Sequence, residues 1–213
     1  MKKNIVNKIM VMLAASAMAI SIVACGTQGS PLGSQNGENV SGSGENGGTS
    51  EEGNTIEASS AEEVFNNIWN LYSEDDMFPA MGGDMENAQD GKPGVFDLAK
   101  IEDLTAMYYV PITQMSAVSD VATLMHMMNA NTFTGAVLKV DKVKAFADEL
   151  KSSIEGVQWI CGFPDKLIIA EIGSGYVAYA FGEGEIMQTF LNKVMEAYPN
   201  ASVIYNIDLA PEF

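Results

Sequence analysis

The alternation of apolar and polar positions is clearest after residue 130, where strand-like and helix-like patterns follow one another closely. Short apolar runs rich in β-branched residues indicate strands, and apolar side chains three and four positions apart indicate helices. The predicted order is a strand over 132–140, a helix from Asp141 to Ile154, strands over 167–172 and 176–181, a helix over 185–198 and a strand over 203–209. This β-α-β-β-α-β order is typical of the ferredoxin-like arrangement, in which both helices cover one sheet face. We therefore predict an α+β fold with a ferredoxin-like core over about 132–209. Its first and third strands would be central, and Glu171 would lie on an edge strand.

Additional helices are predicted before this core. Ser60-Ala61-Glu62-Glu63 matches a capping box, which predicts that a helix begins there and runs over about 61–73. Asp97 is predicted to cap a second helix, which continues through Met107. These helices would pack against the open face or an edge of the sheet.

The segment between these elements and the core is less regular. Residues 74–94 are rich in glycine and proline, which indicates an irregular loop. A third helix is predicted over about 119–128 from its apolar spacing. The pattern of Tyr108-Tyr109-Val110, between the second and third helices, also fits a short strand.

The first 24 residues have the pattern of an export signal. Lys2, Lys3 and Lys8 precede an uncharged apolar run over 9–23 that only serines interrupt. This run of about 15 residues is shorter than the roughly 20 that a helix needs to cross the hydrocarbon of a bilayer. The segment 1–24 is therefore predicted to be a signal peptide.

The signal closes with Ile22-Val23-Ala24-Cys25, which resembles the lipobox of bacterial lipoproteins. The resemblance implies that the Cys25 thiol receives a diacylglycerol, that the chain is cut before Cys25, and that the new amino group can be acylated. Two acyl chains anchor a protein stably, whereas one chain binds only marginally. We expect a mature protein anchored to the lipid bilayer through acylated Cys25, on the extracytoplasmic face of the cell membrane. The alternative is a plain signal peptide or uncleaved anchor with an incidental cysteine.

Residues 25–59 are predicted to be a disordered linker. Glycine, serine, asparagine and glutamate dominate this stretch, and its few apolar side chains cannot offset the entropy lost on ordering. A flexible chain of this length reaches roughly 30 Å, which would hold the folded part away from the membrane. The remaining residues, 60–213, are enough for one α+β domain with its own core.

The charge of the chain excludes some partners. It carries 28 acidic residues against 11 lysines and no arginine, for a net charge of −17. Loss of the signal with its three lysines would bring the charge to about −20. Nucleic acids and anionic lipids are bound through lysine and arginine, so we expect no nucleic-acid partner. The acidity is interpreted as an aid to solubility, with cation capture as the alternative.

The only histidine, His126, stands in the run Met125-His126-Met127-Met128. Thioether sulfur and imidazole nitrogen suit Cu(I), with Met115, or Met77, Met81 and Met85, as further donors. Residues His126, Met125 and Met128 are therefore candidate copper ligands. The alternative is core packing, because methionine fills helical cores well and successive helical residues do not share a face.

A second candidate metal site lies in the predicted loop. Asp84, Glu86 and Asp90 have the spacing of acidic calcium ligands. The stretch lacks the glycine at the sixth position and the glutamate at the twelfth that complete the common calcium loop. The alternative is a solvated loop with turn-forming acids.

Patterns that mark most catalytic sites are missing from the sequence. It has no nucleophile elbow, zinc-binding helix motif or phosphate-binding loop. Cys161 has no intrachain partner if Cys25 is lipidated, and we interpret it as a buried apolar side chain. Catalysis by a pair of carboxylates, as in glycoside hydrolysis, is the alternative, because acidic residues are plentiful. We expect a protein that is not an enzyme and holds no cofactor.

Residues 126–134 and 159–164 resemble uncharacterised lipoproteins of Gram-positive bacteria that carry one small α+β domain. That group has no established activity, so the resemblance implies none. We hypothesise a membrane-anchored, non-enzymatic binding or accessory module with an unknown protein or small-molecule partner. The alternatives are a metal-handling lipoprotein, for copper or calcium, and a structural component of the cell envelope.

Overall fold

The computed structural model describes residues 58–160, 162–173 and 175–209. The predicted signal peptide, Cys25 and nearly all of the predicted linker lie outside these residues, and so does Cys161. The described chain has an α+β fold, in which one antiparallel sheet carries helices on both faces. None of the helices in this part of the chain is long and apolar enough to cross a bilayer.

The sheet has eight strands, and its order departs strongly from the order of the sequence. The elements are α1 (Ala61–Trp69), β1 (Ala80–Gly82), β2 (Gln89–Asp90), β3 (Gly94–Val95), α2 (Ile101–Tyr108), β4 (Val118–His126), β5 (Phe133–Val140), α3 (Val143–Glu155), β6 (Lys166–Ile172), β7 (Tyr176–Gly182), α4 (Gly184–Ala197) and β8 (Ser202–Asp208). A short 3-10 helix covers Ile112–Ala117. The strand order is β2-β1-β4-β5-β7-β6-β8, and β3 also pairs with β4.

Two hydrophobic cores fill the space between the sheet and its helices. Helices α1 and α4 cover one core, and α2 and α3 cover the other. Strands β5 and β7 are buried along nearly their whole length because both faces of the sheet are covered. Their continuous apolar runs, already visible in the sequence, follow from this burial.

The predicted helix over 119–128 is wrong, because the chain forms strand β4 up to His126 and then a turn. Its apolar side chains alternate between the two cores, with Ala122 and Leu124 on one side and Val121 and Met125 on the other. Strand β4 pairs with β5 through a long antiparallel register that runs from Val118 to Met125. A short apolar run fits both the helical period and the strand period, and here pairing with β5 stabilises the strand.

Other N-terminal predictions need smaller corrections. The segment 74–94 is not wholly irregular, because β1 and β2 lie within it and β3 begins at its end. Tyr108 ends α2, and Tyr109 adopts a left-handed conformation with φ of 56°, so no strand forms there. Neither Asp97 nor Asp141 is an N-cap residue, since Lys100 and Lys142 hold those positions.

The ferredoxin-like core is not confirmed. Strand β8 pairs with β6, which is therefore not an edge strand, and Glu171 lies between two neighbouring strands. Helices α3 and α4 lie on opposite faces of the sheet instead of sharing one. Helix α3 connects β5 to β6, and helix α4 connects β7 to β8. Both connections pass one intervening strand in the same direction along the sheet, but β5 and β7 are antiparallel. Because connections between parallel strands are right-handed, these two must lie on opposite faces of the sheet.

The start of α1 is fixed as the sequence predicts. The Ser60 hydroxyl accepts a hydrogen bond from the Glu63 backbone N–H at 3.1 Å, as the capping box predicts. The Glu63 carboxylate reaches back one residue further than in the common capping box and accepts bonds from Ser59. The backbone N–H of Ala61 also donates to Asp120 on β4 at 2.6 Å. The helix ends at Trp69, before the predicted end at residue 73. Its first turn is thus tied to the start of β4.

Candidate functional site

A cavity of about 290 Å³ lies where β1 and β4 meet helix α2 and the loop between β1 and β2. Four methionines line it, Met81, Met85, Met107 and Met125, together with Phe96, Tyr108 and the two acids Asp84 and Asp103. We call it the methionine cavity. Its methionines come from three separate segments of the chain, β1 with the loop after it, α2 and β4, so only the fold brings them together.

The sheet register places two of the four side chains side by side. Met81 on β1 and Met125 on β4 are direct partners across the strand pair, and such neighbours have Cβ atoms about 5 Å apart on the same face. Both are only partly buried. This face is continuous with the core beneath α2, against which Met125 packs.

The floor and the rim of the cavity differ in exposure to solvent. Phe96 and Tyr108 are buried and pack edge to face, with ring centroids 5.7 Å apart, which gives a fixed floor. Met85 is 90% exposed and Met107 is 40% exposed, so both lie at the rim. Methionine has three rotatable bonds and a polarizable sulfur, which lets such a rim adapt to different shapes.

Asp84 organises the loop that forms one wall. The residue is only 4% exposed, and its carboxylate accepts hydrogen bonds from the backbone N–H groups of Glu86, Asn87 and Asp97 and from the Asn87 side chain. Lys100 completes the set with an ion pair at 2.6 Å. Burial raises the pKa of the Asp84 carboxyl, but these hydrogen bonds outweigh burial and hold its pKa well below the usual range.

The predicted acidic metal site is not assembled. The oxygens of Asp84 are already occupied by protein donors, and Glu86 and Asp90 are exposed to solvent. Glu86 lies 3.4 Å from Lys100, a cation that competes with any metal there. Among the residues that the structure describes, no three histidine, cysteine or acidic side chains converge on one point. Asp84 is therefore a scaffold residue.

The predicted copper ligands His126, Met125 and Met128 are also separated. His126 points to the opposite face of the sheet from Met125 and stacks on Phe78, with ring centroids 5.5 Å apart. Its Nδ1 atom accepts hydrogen bonds from the backbone N–H groups of Met128 and Asn129, both at 3.2 Å. Met128 is 82% exposed in the turn that follows β4. Only Met125 of this group lies on the methionine cavity.

Sequence reasoning missed Met107, Phe96 and Tyr108 as site residues. It considered Met81 and Met85 only as copper donors to His126. The signal that could have found the cavity was a strand over 118–126, since its register with β1 sets Met125 beside Met81. The helix prediction for that stretch removed this signal.

The arrangement offers apolar contact with one exposed carboxylate, Asp103, beside it. No protein-family model matches this chain, and neither the curated proteins nor the solved structures contain a significant match. The chemistry of the cavity is therefore the main guide to function.

Proposed function

We propose that this protein is a lipid-anchored binding module on the extracytoplasmic face of a cell membrane, and that it binds a small, largely apolar ligand in the methionine cavity. The observation that carries the proposal is the cavity, whose 290 Å³ is close to the lower end of known ligand pockets. Its apolar walls with few polar groups are typical of such pockets. The predicted tether over 25–59 would present the domain to the surroundings of the cell.

The methionine walls favour binding over catalysis. A carboxylate-pair mechanism needs two free carboxylates that face one space. Of the two acids on the cavity wall, Asp84 is fully engaged by five hydrogen bonds and Asp103 stands alone. A flexible apolar rim over a fixed aromatic floor suits ligands held by dispersion and the hydrophobic effect.

Copper handling is a second candidate, favoured by the four thioethers on one cavity. Methionine sulfur is a soft ligand that suits Cu(I). However, a cavity of 290 Å³ has room for far more than one ion, so its walls would have to close to coordinate the metal. The organic ligand is therefore the leading candidate.

Thermal unfolding with a ligand panel tests the cavity. We expect at least one of hexanol, cyclohexylmethanol and indole to raise the Tm by a few degrees, because a ligand at 100 times its Kd adds about 2.7 kcal/mol. Met107→Trp, which places an indole ring in the rim, should weaken this binding by at least tenfold. The matched control is Met127→Trp, at a position that is 51% exposed and lies outside the cavity lining; it should leave binding unchanged.

The same measurement with Cu(I) added to the panel separates the alternatives. A shift with Cu(I) alone, lost in Met107→Trp, would favour the copper candidate. Binding that both tryptophan variants retain would contradict the cavity as the site. No shift with any ligand would favour a structural role or a protein partner.

Anchoring is tested by incorporation of labelled palmitate in a bacterial host. We expect label in the wild-type chain and none in the Cys25→Ser chain, because the lipobox resemblance assigns Cys25 as the acylated residue. Fractionation should move Cys25→Ser from the membrane to the soluble extracytoplasmic fraction. Label that persists in Cys25→Ser would contradict lipidation at this residue.

A further inference from the structure

We infer that the ligand of the methionine cavity is an amphipathic cation, with an apolar body among the methionines and a protonated amine against Asp103. This inference rests on the proposed function, and it adds the charge class of the ligand. It follows from the ion pairs around the cavity and from the overall charge of the chain.

Asp103 is the carboxylate on the cavity wall that remains available. It is exposed in the first turn of α2, and it forms no ion pair and accepts no side-chain hydrogen bond within the described chain. The other acid on the wall, Asp84, is buried and saturated by donors. A cationic group at the mouth of the cavity would therefore meet Asp103.

Lys100, the N-cap residue of α2, is already paired with other acids. The Lys100 ammonium is 2.6 Å from Asp84 and 3.4 Å from Glu86, and both interactions raise its pKa. The Asp84 contact thus holds Lys100 on the loop wall and leaves the Asp103 side of the mouth acidic. The sequence, with its net charge of −17, also attracts cations and repels anions.

The cavity supplies the second half of the recognition. An alkyl chain that leaves water for a methionine-lined space gains free energy in proportion to the apolar area buried. The ammonium group of the same ligand can stay at the rim, as the charged ends of lysine side chains do on protein surfaces. An exposed ion pair contributes modestly, up to about 1 kcal/mol, which corresponds to roughly fivefold in affinity.

Matched ligands test the charge class directly. Hexylammonium, hexanol and hexanoate share one apolar body and differ in charge. The protein is the mature chain with Cys25→Ser, which keeps the tether and every described residue. Calorimetric titration at low ionic strength should give roughly fivefold tighter binding of hexylammonium than of hexanol, with hexanoate weakest. Added salt should reduce this preference because it screens the exposed pair.

Two variants assign the effect to one carboxylate. Asp103→Asn should abolish the preference for hexylammonium over hexanol while hexanol binding is retained. Glu102→Gln removes the same charge one residue away, outside the cavity lining, and should keep most of the preference. Equal binding of hexylammonium and hexanol to the wild-type chain would overturn this inference and leave the proposed function intact. If neither hexylammonium nor hexanol binds, or if Met107→Trp weakens the binding of neither, both this inference and the proposed function would be overturned.

Discussion

Replacement of Asp84 by alanine is expected to lower the free energy of unfolding by about 3 kcal/mol or more. The substitution removes a buried carboxylate that gathers donors from Glu86, Asn87, Asp97 and Lys100. Each hydrogen bond to a charged group contributes roughly 1.5–3 kcal/mol, and the donors left behind lose their partner. The loss should be measured by urea unfolding at neutral pH. The slope of the free energy of unfolding against urea concentration should stay unchanged, which would exclude a change in the denatured state.

The exposed acids of the same loop provide the control. Glu86→Ala and Asp90→Ala remove a charge of the same sign from solvent-exposed positions, and changes at such positions are usually within about 0.5 kcal/mol. If Asp84→Ala were as mild as these two, the buried hydrogen-bond network would not stabilise the loop. The conclusion that Asp84 holds the loop forming one wall of the methionine cavity would then also be wrong.

The contribution of Asp84 should depend on pH with a definite sign. Its pKa in the folded protein lies below the ordinary value of 3.8, so the unfolded chain binds the extra proton first as the pH falls. The stabilisation is therefore fully present above the unfolded pKa and is lost as the pH falls below it. The stability difference between the wild type and Asp84→Asn should be large at pH 7 and smaller near pH 3. A difference that stays constant across this range would contradict the assignment.

Replacement of Leu124 by alanine should also be severe, with a loss of about 3 kcal/mol. Leu124 is fully buried on β4, in the core beneath α1 and α4. Leucine-to-alanine changes at such sites cost roughly 2–5 kcal/mol, since they lose apolar contact and leave a cavity. The comparison is Met128→Ala, at a residue that is 82% exposed; we expect little change. In the helix over 119–128, Leu124 and Met128 would share one face, so equal losses from both variants would favour that helix over strand β4.

The second half of the fold was predictable because its periodic patterns are long. Strands β5 to β8 and helices α3 and α4 each begin within two residues of the predicted boundary. Their apolar positions are set by burial against one sheet, and that burial is written locally in the spacing of the side chains. These elements needed no information about distant partners.

The strand order could not be predicted in the same way. The ferredoxin-like prediction makes β5 a central strand with β8 as its outer neighbour. Strand β4 occupies that side of β5 instead, and β8 pairs with β6 at the edge of the sheet. Because the sequence favoured a helix over 119–128, strand β4 was not recognised as a competitor for pairing with β5. Strands as short as β2 and β3, with two residues each, carry no period and depend on pairing with neighbours.

The candidate site was only partly predictable for a similar reason. Asp84 was singled out by its acidic neighbours, but two of its partners, Asp97 and Lys100, lie 13 and 16 residues further along the chain. The spacing of the acids therefore indicated a cation, whereas the fold uses Asp84 to hold a loop. Met81 and Met85 are neighbours in the sequence, but no local pattern joins them to Met107 and Met125, which lie much further along the chain.

A methyl NMR titration of the chain with ¹³C-labelled methionines would show whether a ligand occupies the methionine cavity. Ligands from the panel should shift the methyl signals of Met81, Met85, Met107 and Met125 together, with one common Kd. Met187, fully buried in the other core, is the internal reference and should not move. This pattern would place the ligand in the methionine cavity. Shifts confined to Met127 and Met128, or spread equally over all methionines, would contradict it.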